Sequence, residues 1–226
     1  MRHVNVKMCG LQEEEHVRVA AEAGADYVGF VFAPGRRQVT PARAVRLVES
    51  LVDLPVRPAL VGVFVNESHE RVNTILETCG LDFVQLSGDE DGGYCARMVR
   101  PVMKCIKVFP GTTVPDVIRQ IDSFRRSCSD QEVSFLLDTG HAAAHGGTGM
   151  TFDWRTACDV GSLTPVMVAG GLDCGNVGAL VRCARPYGVD VSSGVELDGR
   201  KEPSLMRAFV QAVRQTEQEI EHENGN

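Results

Sequence analysis

Residues 188–195 read Gly188-Val189-Asp190-Val191-Ser192-Ser193-Gly194-Val195, a short β-branched strand carrying one acid and running into a small-residue turn. Side chains alternate along a strand, so Val189 and Val191 share one face and Asp190 takes the other. The same unit, a short apolar strand followed by a helical pattern, recurs eight times along the 226 residues. The strands are expected at Val4 to Met8, Tyr27 to Phe32, Ala59 to Val65, Phe83 to Leu86, Met103 to Phe109, Val133 to Asp138, Pro165 to Ala169 and Gly188 to Val191. Short, continuous apolar runs of this kind suit parallel strands buried on both faces.

The helices between them carry their own signals. Thr40 is placed to cap and Pro41 to occupy the first helical position, with Val45, Val48, Leu51 and Val52 as an apolar stripe. The first helix passes Val17, Ala20 and Ala21 and stops at Gly24, which tolerates a left-handed end. The last opens near Pro203-Ser204 and buries Leu205, Phe209 and Val213. Eight such units favour a closed (β/α)8 barrel, the TIM barrel, over an open doubly wound sheet. No linker divides residues 1–226, which read as a single domain whose acidic end, from about Glu217, is expected to fray.

Composition narrows the function. The chain is 43% hydrophobic, enough for a substantial core, and its formal charge of −7 disfavours non-specific nucleic-acid binding. No run is long enough to span a bilayer and no leader is visible at Met1, so a cytoplasmic protein with no membrane partner is expected. Eight cysteines are scattered without paired short spacing, which favours reduced thiols over disulfides or zinc. Nothing marks a large exposed apolar patch, so a monomer is plausible and a homodimer remains open.

Three glycine-bearing segments crowd the last third: Gly146-Gly147-Thr148-Gly149, Ala169-Gly170-Gly171-Leu172 and Ser192-Ser193-Gly194-Val195. Backbone N–H groups converge on a phosphate only where side chains are small, so the three read together as a phosphate cradle. Gly147, Thr148, Gly149, Gly170, Gly171, Ser192, Ser193 and Gly194 are its expected contacts. In a barrel, chemistry sits at the C-terminal ends of the strands. Cys9, Arg37, Gln85, Lys107 and Asp138 all fall there. Parity turns Lys7, Cys9 and Asp190 inward, and closure of the ring makes the last strand a neighbour of the first, so Lys7 and Asp190 are expected to pair. An ammonium beside Cys9 favours its thiolate. Asp138, three strands away, supplies an acid across the mouth from that base, an arrangement suited to proton transfer. Each residue also has an ordinary reading: Cys9 as a core thiol, Asp138 as a turn acceptor, Arg37 as a surface charge. His141 and His145 sit four apart but lack a third ligand, so no metal is expected.

These motifs resemble phosphoribosylanthranilate isomerase over nearly the whole chain. The resemblance rests on Lys7-Met8-Cys9-Gly10, Arg37-Gln38-Val39-Thr40-Pro41, Val61 to Asn66, Val84 to Glu90, Leu136-Leu137-Asp138, the three glycine segments and Val189 to Glu196. It implies a cofactor-independent Amadori rearrangement of a phosphosugar in tryptophan biosynthesis. In it Asp138 protonates the furanose oxygen, Cys9 removes the C2 proton, Arg37 holds the anthranilate carboxylate and Asp190 contacts the sugar or organises the first strand. Lys7, Gln85 and Lys107 would complete the substrate contacts. The family usually has His where Ser87 stands and Ser where Gly35 stands. The alternatives are an isomerase of another aminated phosphosugar and a non-catalytic phosphosugar-binding barrel.

Overall fold

The computed structural model describes residues 3–128, 131–139 and 154–224. Eight parallel strands close on themselves in sequence order: β1 (Asn5–Cys9), β2 (Tyr27–Val31), β3 (Ala59–Phe64), β4 (Phe83–Leu86), β5 (Val102–Val108), β6 (Val133–Thr139), β7 (Met167–Val168) and β8 (Gly188–Val191). The helices that follow them are α1 (Glu14–Ala23), α2 (Pro41–Glu49), α3 (His69–Thr78), α4 (Gly92–Cys95), α5 (Val114–Ser127), α6 (Trp154–Leu163), α7 (Val177–Ala184) and α8 (Pro203–Asn224). A small antiparallel hairpin, β9 (Glu196–Leu197) and β10 (Arg200–Lys201), stands between β8 and α8.

Strand ends agree with expectation to within about two residues. Within the barrel β7 is the shortest strand, although Ala169 just beyond it still donates to Leu137 O at 2.8 Å. The helix signals hold locally. Thr40 Oγ1 accepts from Arg43 N at 3.2 Å with Pro41 in the first turn, and Gly24 ends α1 at φ +88°. Thr113 and Asp116 form a reciprocal capping box at α5.

Alternation along the strands builds two cores. Val6, Met8, Val28, Phe30, Leu60, Phe64, Val84 and Leu86 face outward and are buried under the helices, together with Leu47, Leu76, Phe209 and Val213. Inside the ring a second, smaller cluster of Met103, Cys105, Leu136, Met167 and Ala169 fills the middle, with Tyr27 against it. That plug leaves the polar inward residues above it facing the C-terminal mouth.

Three expectations are corrected. Residues 217–224 are helical rather than frayed: α8 continues to Asn224, Ile220 is fully buried, and Glu217 accepts the Val4 N–H at 2.6 Å while also pairing with Arg214 at 2.8 Å. An acidic sequence there satisfies basic partners on neighbouring elements. Val52 is 87% exposed, because α2 ends at Glu49 and the helical stripe cannot extend to it; Leu51 is buried as expected, Val45 and Val48 pack against the core, and Ala44 and Leu47 are buried beside them. Finally, Cys158 on α6 and Cys183 on α7 form a disulfide across 25 residues of sequence. Neighbouring helices of the ring bring together thiols whose spacing carries no signal.

Candidate active site

Lys7 Nζ donates to Asp190 Oδ1 at 3.0 Å, with the lysine side chain wholly buried and the aspartate 8% exposed. The β1/β8 register sets the two residues directly opposite each other, as parity and closure require. Across the other ladder Cys9 faces Gly29 of β2. A Cβ at Gly29 would lie 3.1 Å from Cys9 Sγ and 3.2 Å from Lys7 Nζ, so the missing side chain is the space in which thiol and ammonium sit together.

The electrostatics of this trio correct one expectation. Burial alone would lower the Lys7 pKa, but the Asp190 carboxylate and Cys9 outweigh it and hold the ammonium above its ordinary value. Burial pushes the Cys9 thiol up, and the opposing pull of Lys7 does not fully cancel it. The resting form is therefore the thiol. Lys7 eases ionisation without dominating it, because Asp190 takes much of its field.

Arg37 reaches the same rim from the loop after β2, and its stem lies over Gly10: a Cβ there would stand 2.5 Å from Arg37 Cδ, at a backbone φ of +77°. Its guanidinium is already engaged. Nε and Nη2 donate to Glu196 Oε1 and Oε2 at 2.7 and 3.1 Å, Arg36 Nη2 adds a contact at 2.6 Å, and Lys201 Nζ adds one at 3.0 Å. Burial would raise the Glu196 carboxyl, but the hydrogen bonds from Arg37 and Lys201 carry it down to about 2. Lys201 also donates to Ser192 O at 2.8 Å, and Ser192 Oγ donates to Cys9 O at 3.2 Å, joining the ends of β1 and β8 to the hairpin. Neither Glu196 nor Lys201 was assigned a role from sequence. The available signal was an acid placed two residues after the Ser-Ser-Gly turn.

Gln85 points inward from β4 and is 5% exposed; Nε2 donates to Ser87 Oγ at 3.0 Å, while the buried Oε1 has no partner among the described residues. Turning the amide over would exchange the orphaned end without removing it. Behind this strand a network that sequence reasoning missed pins the loops after β3 and β4. Glu90 accepts from Asn66 N at 2.7 Å, Gly88 N at 2.9 Å and Lys104 Nζ at 2.8 Å.

Asp138 stands opposite Lys107 in the β5/β6 register, one residue before the end of each strand, on the same inward parity as buried Leu136. Below them burial, with the Asp138 charge, pushes the Cys105 thiol up to about 12, so that cysteine is inert filling. Going round the closed ring from β1 through β8 and β7 reaches β6, so Cys9 and Asp138 occupy different sides of one mouth.

Two of the three glycine segments meet. Gly170 and Gly171 follow β7 at φ +99° and +64°, and Gly194 after β8 bridges to Asp173 just beyond them. A Cβ on Gly194 would run into the Leu172 carbonyl, so only glycine permits this approach. Gly147, Thr148, Gly149, His141 and His145 lie outside the described residues. Among the described residues no group of three or more His, Cys, Asp or Glu is disposed to hold a metal, and no helix is long and apolar enough to cross a membrane.

Comparison with known proteins gives one consistent result. The family described as N-(5'phosphoribosyl)anthranilate (PRA) isomerase matches residues 6–212. An N-(5'-phosphoribosyl)anthranilate isomerase of Dehalococcoides mccartyi is 43% identical over 211 residues, 93% of this chain and 96% of the relative. One from Moorella thermoacetica is 40% identical over 218 residues, 95% and 92%. The crystal structure of the Thermotoga maritima phosphoribosyl anthranilate isomerase superposes with a TM-score of 0.81 at 33% identity, covering 94% of this chain and all of the other. A structure of such an isomerase in complex with reduced 1-(o-carboxyphenylamino)-1-deoxyribulose 5-phosphate gives 0.78 at 32%, with the same coverage.

Proposed function

We propose that this chain, which belongs to the N-(5'-phosphoribosyl)anthranilate isomerase family, converts N-(5-phosphoribosyl)anthranilate to 1-(2-carboxyphenylamino)-1-deoxyribulose 5-phosphate by general acid–base catalysis. The observation that carries this reading is the placing of Cys9 and Asp138 on inward faces at one end of a closed ring, with two glycine turns beside them.

Asp138 gives its proton to the furanose ring oxygen; the C1–O bond breaks and the anilino nitrogen supplies the electron pair of a protonated Schiff base. Cys9 then takes the C2 proton, and the C2–H electrons neutralise that cation as an enolamine. Ketonisation completes the rearrangement, with no net gain or loss of protons or electrons. Burial keeps the Cys9 thiol above its usual pKa in the free protein. The iminium cation formed in the first half favours the thiolate when a base is required. Lys7 adds to that field, and Arg37 holds the aryl carboxylate.

Gly170, Gly171, Ser192, Ser193 and Gly194, with Gly147, Thr148 and Gly149, bind the phosphate in this reading. Gln85 offers its orphaned amide end to a sugar or anilino group, and Lys107 and Asp190 contact the sugar side. The same reading takes residues 1–226 as one cytoplasmic domain acting on a phosphosugar, without nucleic acid or membrane. A homodimer has a parallel in the Thermotoga maritima enzyme, which is described as dimeric in a structure of monomers generated from it; a monomer is the other option. The test is rescue of a tryptophan auxotroph lacking this isomerase, with rescue lost in Cys9→Ala and Asp138→Ala. Binding of the substrate without turnover in the purified wild type would refute the assignment in favour of a binding barrel.

A further inference from the structure

The geometry points to Glu196 as a positioning residue that sets the preference of this site for a carboxylated aryl group, by holding one edge of Arg37 so that its other edge meets the ligand. The inference rests on the isomerase reading above and deepens it.

A guanidinium has five N–H donors in a rigid plane and can engage two planar acceptors at once. Glu196 takes the side edge of Arg37, Nε and Nη2, at 2.7 and 3.1 Å. The end edge, Nη1 with the second proton of Nη2, is left for another carboxylate. The arginine side chain is 25% exposed where Glu196 is 5% exposed, so the open edge belongs to the accessible side.

Glu196 is itself rigidly held. The β9/β10 register sets Lys201 opposite it, and their side chains, 4% and 5% exposed, pair at 3.0 Å. Lys201 is anchored in turn to Ser192 O at 2.8 Å, beside the strand that carries Asp190. Three cations therefore surround one anion, leaving an excess of positive charge to attract a second carboxylate. A free Glu196 would compete with that carboxylate. A clamped one cannot follow Arg37 into the ligand space and serves instead as its stop.

The two roles differ in sign, which makes the test decisive. The probes are reduced 1-(o-carboxyphenylamino)-1-deoxyribulose 5-phosphate and its anilino counterpart lacking the carboxyl group, titrated calorimetrically into the full chain. Positioning predicts that Glu196→Gln weakens the carboxylated probe by about tenfold, the value of one well-made charged contact, and leaves the anilino probe unchanged. Unchanged anilino binding also shows that the variant site is folded. Glu196→Asp keeps the charge but withdraws it by one methylene, and it should weaken the carboxylated probe as well. Tighter binding of the carboxylated probe by Glu196→Gln would make Glu196 a competitor and overturn the inference. Wild-type-like behaviour of Glu196→Asp would reduce its role to charge, and equal weakening of both probes would reduce it to structure; either overturns it too. Failure of the wild type to bind either probe would instead remove the isomerase reading, and this inference with it.

Discussion

Replacing one member of the Lys7–Asp190 pair should destabilise the barrel far more than removing both. The two charges lie 3.0 Å apart with side chains 0% and 8% exposed. At an effective dielectric near 20 their attraction is about 5 kcal/mol, which offsets a desolvation cost of several kcal/mol per ion. Asp190→Asn strands the ammonium among apolar walls with only an amide and the Cys9 thiol as neighbours. A loss of about 3–5 kcal/mol is expected, a large part of a typical domain stability of about 5–15 kcal/mol. Lys7→Met should cost less, because Lys201 also acts on the Asp190 charge and Asp190 can take up a proton. Lys7→Met with Asp190→Leu buries no charge and should lie within about 2 kcal/mol of the wild type. Urea unfolding reads the difference, with a midpoint about 1–2 M lower for Asp190→Asn. The pH dependence has a definite sign: the Lys7 pKa is raised by its partner, so its stabilisation is fully present below the ordinary lysine value and is lost only as pH rises through the higher folded one. In Asp190→Asn burial acts on Lys7 without its partner and lowers its pKa, so the gap between wild type and variant should be widest at neutral pH and narrow as pH rises toward the ordinary lysine value. A double variant less stable than either single variant would refute the argument, because the pair would then stabilise by more than mutual neutralisation.

Further outcomes follow from other sites. Gly10→Ala forces a side chain into a left-handed backbone and against the Arg37 stem, so KM should rise several-fold with a smaller change in kcat; an unchanged KM in steady-state turnover would remove Gly10 from the placing of Arg37. Alkylation of Cys9, followed by mass spectrometry, should require a higher pH than a free thiol does, and Lys7→Met should shift that profile further upward, since Lys7 opposes the effect of burial. The Glu196 carboxyl, held at about 2, contributes stability above the ordinary glutamate range that is lost as pH falls toward 2; Glu196→Gln should flatten the acid limb of a melting-temperature profile. Opening the Cys158–Cys183 link, which spans 25 residues of sequence, should cost about 3.5 kcal/mol by the chain-entropy argument; identical thermal melts of wild type and Cys158→Ser would contradict it.

Much of the site was legible because its signals are local. A period of two along a strand sends Lys7, Cys9, Gln85, Lys107, Asp138 and Asp190 to one side whatever the rest of the chain does. Glycines that must approach another backbone, such as Gly194 against Leu172, declare themselves by type. Sign and partner choice were less accessible. Cys9 and Lys7 were correctly placed as neighbours, but whether the thiolate is favoured depends on a sum over burial, Asp190 and Lys201 that adjacency does not contain. Arg37 was expected to clamp a carboxylate of the ligand, and the carboxylate it holds in the structure is that of Glu196, which nothing in the segment around Arg37 announces.

The amino-acid sequence by itself determined eight strand–helix units, their inward faces, the capped start of α2 and the pairing of Lys7 with Asp190 once a ring is assumed. Each follows from periodicity, or from a residue type whose conformational demands are met within a few positions. Only the tertiary structure decided that Cys158 meets Cys183, that Glu217 and Ile220 hold the end of α8 against the barrel, and that Glu196 and Lys201 close over Arg37. Those contacts join residues far apart in the chain. Their strength comes from water excluded when the ring and its helices pack, a quantity no single segment carries.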